Sequence, residues 1–207
     1  MSRPLLITDC DEVLLHMVRH FGTWLRESHD VTFDYRGPDM FNAMTRANGE
    51  RPSTEEMWGY LGGFFPAEME RQTLVPHARE ALVALGEVAD IVVLTNLQDH
   101  VREARIEQLA GFDINLRVVT NQGGKGDPVG RLVAEYGANV AVFVDDLAVH
   151  HQSVAAHAPH VHRLHMISEP DLAPNVPPAP HANARIDDWR EAQAWIAARF
   201  AAGLPAS

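Results

Sequence analysis

Cysteine is almost missing from this chain: Cys10 is the only one in 207 residues. No internal disulfide can form, which suits a reducing compartment. Long apolar runs are missing as well. None approaches the ~20 residues that a membrane helix needs, so no membrane partner is expected. The opening Met1-Ser2-Arg3-Pro4 enters an apolar run at once and leaves no room for a signal region, which predicts a cytoplasmic location. Basic side chains are scarce, with 17 Lys and Arg against 28 Asp and Glu, a formal charge of −11. That balance argues against a nucleic-acid partner. It leaves a small phosphorylated molecule open, because a metal or a locally positive pocket can hold phosphate on an acidic protein. Internal repeats are absent. A hydrophobic fraction of 46% is that of a globular chain, and the length allows one or two domains.

What is present begins with Leu5-Leu6-Ile7-Thr8-Asp9-Cys10-Asp11-Glu12. An apolar strand ends in two aspartates spaced i, i+2. On extended backbone such side chains share one side, so Asp9 and Asp11 are expected to aim at one point. Carboxylates held that close repel unless a positive charge lies beside them. An oxygen-bound divalent cation answers this, and magnesium fits best. The plainer alternative is a strand followed by a polar turn.

Helical spacing follows over residues 14–28, with Leu14, Val18, Phe21 and Leu25 on one stripe. From Val31 to Pro76 the pattern is broken by Gly37-Pro38, Asn48-Gly49, Arg51-Pro52 and Gly62-Gly63. Ser53 with Glu56 three residues on reads as a helix start. This stretch predicts helices and no strand. Beyond it, helices at 77–86, 97–110, 129–136, 149–157 and 188–200 alternate with strands at 90–95, 116–120, 140–144 and 161–167. Residues 169–182 are proline-rich and read as a loop. Alternating buried strands and helices predict an α/β fold, a Rossmann-like parallel sheet covered by helices on both faces. Functional loops of such sheets lie at the carboxyl ends of the strands. That rule gathers Asp9 and Asp11, Thr95 and Asn96, Lys125, and Asp145 and Asp146.

Those residues stand in an order that resembles the haloacid dehalogenase superfamily. The four motifs are Asp9-Cys10-Asp11, the strand ending in Thr95, Lys125-Gly126-Asp127-Pro128, and the strand ending in Asp145-Asp146. The likeness covers about residues 4–14 and 77–167. It implies an α/β core of residues 1–14 and 77–207, with 15–76 as a small helical cap. It also implies a Mg²⁺-dependent phosphohydrolase acting on a small phosphorylated metabolite. Asp9 would be the nucleophile, Asp11 the acid and base, and Lys125 the offsetting charge. Thr95 and Asn96 would hold phosphate. Mg²⁺ would be bound by Asp9, the Asp11 carbonyl and Asp146, with Asp145 on its waters or binding directly. Asp11 favours a phosphatase or a phosphomutase over a dehalogenase, since a halide leaves without a proton. A catalytically weak member that binds a phosphorylated ligand or a partner is the other reading. The expected assembly is a monomer or homodimer.

Two positions depart from the family's pattern. Glu12 stands where a small residue is usual, and it could narrow the site, repel phosphate or point into the cap junction. Gly126 stands where many members carry a side chain. His16, Arg19, His20, Arg46 and Trp58 are candidates to face substrate, against a plain reading as surface charges or core aromatics. Gly123-Gly124-Lys125 fails as an NTPase phosphate loop, because Gly126 follows the lysine and Val119 stands where a glycine is needed. Cys10 fails as a cysteine-phosphatase nucleophile, because position 16 is His and not Arg; it is expected to be a packed small residue. No glycine fingerprint for a dinucleotide is present. His150, His151, His157, His160, His162 and His165 crowd one span without metal-ligand spacing, and are expected to form a titratable surface.

Overall fold

A computed structural model describes residues 2–36 and 43–206. The central sheet has six strands in the order β5-β4-β1-β6-β7-β8, and all neighbours run parallel. The strands are β1 (Leu5–Thr8), β4 (Asp90–Thr95), β5 (Arg117–Thr120), β6 (Ala141–Asp145), β7 (His162–His165) and β8 (Ala184–Arg185). The helices of this layer are α3 (Ala78–Gly86), α4 (Arg102–Gly111), α5 (Gly126–Tyr136), α6 (Ala148–His157) and α7 (Trp189–Ala202). β1, which carries the first motif, lies between β4 and β6.

Strand alternation divides the core into two layers. Leu6, Val93, Val142 and Leu164 pack against Leu82 and Leu85 of α3, Leu109 of α4, and Trp189 and Ile196 of α7. Leu5, Ile7, Val92, Leu94 and Phe143 pack against Val129 and Leu132 of α5 and Val154 of α6. Helices therefore cover both faces, as a sheet of buried parallel strands requires. The fully buried Trp189 also donates its indole N–H to the carbonyl of Val13 at 2.8 Å, which ties the last helix to the turn after β1.

Residues 15–76 hold α1 (Val18–His29), β2 (Val31–Phe33), β3 (Met44–Arg46) and α2 (Thr54–Glu68). The capping box is present: Ser53 accepts from the Glu56 N–H and Glu56 accepts from the Ser53 N–H. The expectation of helices alone is corrected, because β2 and β3 pair antiparallel. Each is three residues long, too short to show an alternating pattern. The Gly37-Pro38 turn lies outside the described residues. Phe21, Trp24, Leu25, Val31, Met44 and Phe64 form a separate apolar cluster for this segment. Among the described residues no helix is long and apolar enough to cross a membrane.

Candidate active site

β1 stops at Thr8, and the chain turns sharply around the Cys10 carbonyl, which accepts N–H bonds from Val13, Leu14 and Leu15. The alternation expected to align Asp9 with Asp11 therefore ends before it reaches them. Asp9 stays at the sheet edge and is buried. Its Oδ1 accepts the Cys10 N–H at 2.7 Å and lies 2.9 Å from Nζ of Lys125. Lys125 comes from the residue before α5, is fully buried, and donates to Asp145 Oδ2 at 2.7 Å. One ammonium thus joins the residue after β1 to the last residue of β6. Asp145 Oδ1 accepts the Leu147 N–H at 2.9 Å. Asp146 is partly exposed, and one oxygen each from Asp9, Asp145 and Asp146 lie within 4.8 Å of one another.

The charges in this cluster do not cancel. Burial pushes Asp9 up to about 7, against the pull of Lys125 and with the push of Asp145. Burial and the repulsion of Asp145 and Asp9 raise Asp146 well above the ordinary carboxylate range. Burial works against ionisation of Asp145 too, but there Lys125 prevails and holds the carboxyl below its usual value. Lys125 remains protonated: burial opposes its charge, and Asp145 and Asp9 more than restore it.

Asp11 is not brought into this cluster. Its carboxylate accepts from Nη2 of Arg105 at 2.9 and 3.1 Å and from Nε2 of Gln72 at 3.0 Å. The same guanidinium donates to Sγ of Cys10 at 3.0 Å, and burial pushes that thiol up to about 12, so Cys10 is a packed, unreactive residue. Arg105 and Gln72 were invisible as site residues in the sequence. One signal existed: Arg105 sits four residues after Val101, in the turn before α4, and four before Leu109, between two buried apolar positions where a charge demands a partner.

Thr95 is buried at the end of β4, and Asn96 is exposed beyond it. The Asn96 amide donates to the Gly123 carbonyl at 2.9 Å and accepts from Asn121 at 3.0 Å, so it fastens the Lys125 loop.

Glu12 points toward the entry to α1 and not at Asp9. It has φ of 60°, the left-handed region that glycine occupies freely. Its buried carboxylate accepts the N–H groups of Met17 and Val18 at 3.1 and 2.7 Å and caps α1. Gly126 has an equally local cause. A Cβ there would lie 2.2 Å from the Ser153 carbonyl, because α5 and α6 touch at this point.

The histidine span is corrected from a surface: His150, His151 and His165 are buried, and His157 and His160 are exposed. The Ala179 N–H donates to Nδ1 of His165, so its proton is on Nε2, which donates to the Asp146 carbonyl at 2.8 Å. Nε2 of His151 donates to the Asp145 carbonyl at 3.0 Å. Burial lowers both histidines, His151 to about 4, so both are neutral props for the acidic pair. Of the candidates in 15–76, Trp58 is 63% exposed, Arg46 pairs with Glu56, and His20 bonds Thr73. Arg19 pairs with Glu169, and His16 is buried beside Glu12.

No family model matches the sequence, and no curated protein matches it. Solved structures do. A haloacid dehalogenase-like family hydrolase from Streptococcus pneumoniae superposes with a TM-score of 0.62 at 12% identity, over 94% of this chain and 98% of its own. A HAD family hydrolase from Deinococcus radiodurans, solved with bound phosphate and sodium, gives 0.60 at 16%, over 98% of both chains. A HAD-superfamily hydrolase of subfamily IA from Geobacter sulfurreducens gives 0.58 at 19%, over 94% and 96%. With the ordered motifs at the carboxyl edge of a parallel sheet, the fold of this chain is the haloacid dehalogenase fold.

Proposed function

We propose that this protein is a hydrolase of the haloacid dehalogenase type, a Mg²⁺-dependent phosphatase for a small phosphorylated metabolite. The observation that carries the reading is the buried Lys125 ammonium shared between Asp9 and Asp145, with Asp146 alongside. The residues fit a hard divalent cation. Three carboxylate oxygens converge, and one lysine leaves Asp9 and Asp146 raised by burial and by repulsion among the carboxylates, which a cation would offset. Asp9, Asp145 and Asp146 would hold Mg²⁺, together with the Asp11 carbonyl. When bound, it supplies neutralising charge for the carboxylates and for the phosphoryl group in transfer.

The chain's own groups do the rest. Asp9 attacks phosphorus, its Oδ–P bond forms, the bond to the leaving oxygen breaks, and Asp11 protonates that oxygen. Water then attacks the aspartyl-phosphate, Asp11 takes its proton, and phosphate departs with Asp9 restored. The Thr95 hydroxyl and the Asn96 N–H hold phosphate oxygens, and Lys125 offsets their charge. Residues 15–76 act as the cap over a core of 1–14 and 77–207. Asp11 must leave Arg105 to reach the leaving group, and this engagement favours a second reading, a protein that binds a phosphorylated ligand without turning it over.

The test is hydrolysis of p-nitrophenyl phosphate and a phosphometabolite panel by wild type and Asp9→Asn, with Mg²⁺ and with chelator. Turnover lost in Asp9→Asn and on chelation supports the phosphatase. Thermal stabilisation by a panel member without phosphate release selects the binder.

A further inference from the structure

A second group of metal-capable side chains stands apart from the acidic cluster. Glu12 follows the β1 turn, His16 precedes α1, and Glu169 lies in the loop after β7. All three are buried, and one ligand atom from each lies within 4.8 Å of the others.

His16 is the telling member. It is 4% exposed, and among the described residues its Nδ1 has no hydrogen-bond partner. The nearest carboxylate oxygen, Glu12 Oε1, is 3.7 Å away, too far for a hydrogen bond. A proton on Nδ1 would therefore still be unshared. A buried polar nitrogen without a partner is costly, and it calls for an explanation.

The carboxylates have room for one more bond each. Glu12 accepts from Met17, Val18 and the Ser168 hydroxyl. Glu169 accepts from Arg19 at 2.6 and 3.1 Å and from the Asp171 N–H. Each is left with about one free lone-pair direction of its four.

We propose that Glu12, His16 and Glu169 bind a divalent transition-metal ion of the zinc type. Imidazole nitrogen with two carboxylate oxygens is a donor set that such ions accept and that magnesium disfavours. The ion would join the entry to α1 to the loop after β7, and so fasten residues 15–76 to the sheet layer beside the Asp11 turn. The assignment does not depend on phosphatase activity.

Zn²⁺ is the probe, measured by titration calorimetry and by metal content after dialysis of the full chain. Asp146→Asn weakens the acidic cluster and isolates the second group. In that background one Zn²⁺ per chain is expected, with an upward shift in melting temperature. Adding His16→Gln or Glu169→Gln should weaken binding at least tenfold and abolish the shift, while far-UV circular dichroism stays native. Co²⁺ offers a readout that needs no second substitution: visible bands of a nitrogen-ligated site are expected in Asp146→Asn. The assignment is overturned if Asp146→Asn binds no Zn²⁺ and gives no Co²⁺ bands. It is equally overturned if His16→Gln, folded and in the Asp146→Asn background, binds Zn²⁺ as before.

Discussion

Arg105 serves both oxygens of Asp11 from one nitrogen, and Asp11 is thereby turned toward α4 and away from Lys125 and Asp145. Gln72, from the segment returning to the core, adds a third bond to the same carboxylate. In the proposed role of proton donor, Asp11 must give up those bonds before it can serve a leaving group. Gln72→Ala removes one of them, worth about 1 kcal/mol. The expected result is a kcat about fivefold higher on an alkyl phosphate, with p-nitrophenyl phosphate unchanged because its leaving group needs little protonation. Steady-state kinetics on both substrates checks this, and equal effects on the two would refute it.

The raised pKa of Asp9 has a thermodynamic sign. Folding lifts this carboxyl from 3.8 to about 7, so between those values the native state binds the extra proton. Stability from this source falls as pH rises from about 4 to 7. His151, lowered to about 4, acts in the opposite direction up to its unfolded value of 6.5, because only the unfolded chain is protonated there. Asp9→Asn removes the first contribution. Without metal, urea midpoints at pH 5 and 7.5 should show the variant gaining relative to wild type as pH rises, on the order of 1–3 kcal/mol. A parallel pH dependence of the two proteins would contradict the assignment.

Magnesium should reverse the burden on Asp9. At one hundred times its dissociation constant, a ligand of the native state adds about 2.7 kcal/mol. Thermal unfolding with and without Mg²⁺ should show that gain in wild type and lose most of it in Asp146→Asn.

Gly126→Ala places a methyl group against the Ser153 carbonyl and against Nδ1 of His157, which would lie 2.8 Å from it. Backbone cannot yield there as a side-chain tip could. Overpacking of this kind costs about 1–3 kcal/mol. Chemical denaturation measures it, and because Lys125 precedes the residue, kcat should fall as well.

Glu12→Ala removes the acceptor for the first N–H groups of α1, at about 1–2 kcal/mol. Glu12→Gly removes the same acceptor but accommodates φ of 60° without a Cβ penalty of about 1 kcal/mol. The glycine variant should be the more stable of the two by denaturation midpoint.

The sheet was legible because its strands are buried on both faces and read as unbroken apolar runs, of which Val140-Ala141-Val142-Phe143-Val144 is the clearest. The meeting of Asp9, Lys125, Asp145 and Asp146 at its carboxyl edge followed from topology; the turn of Asp11 toward Arg105 did not. What stayed hidden depends on side chains meeting across the fold. Arg105 and Gln72 are distant in sequence from Asp11, and no local pattern links them. The props His151 and His165 looked like surface histidines because a short helix and a short strand carry too little periodicity to reveal a buried face. Glu12 left three directions open in the sequence because its left-handed backbone, which swings the carboxylate toward α1, is not written in residue type. β2 and β3 were missed for their length.

The position of β1 between β4 and β6 also bears on how the protein is made. Asp9 is synthesised well ahead of the strand that supplies Asp145, which emerges only after β4, β5 and α5. The indole that seals the turn at Val13 belongs to α7, later still. During synthesis the first strand must therefore wait with one flank bare, an apolar ribbon with unpaired backbone groups. A nascent chain stalled before β6 is the form of this protein that a chaperone has most reason to hold.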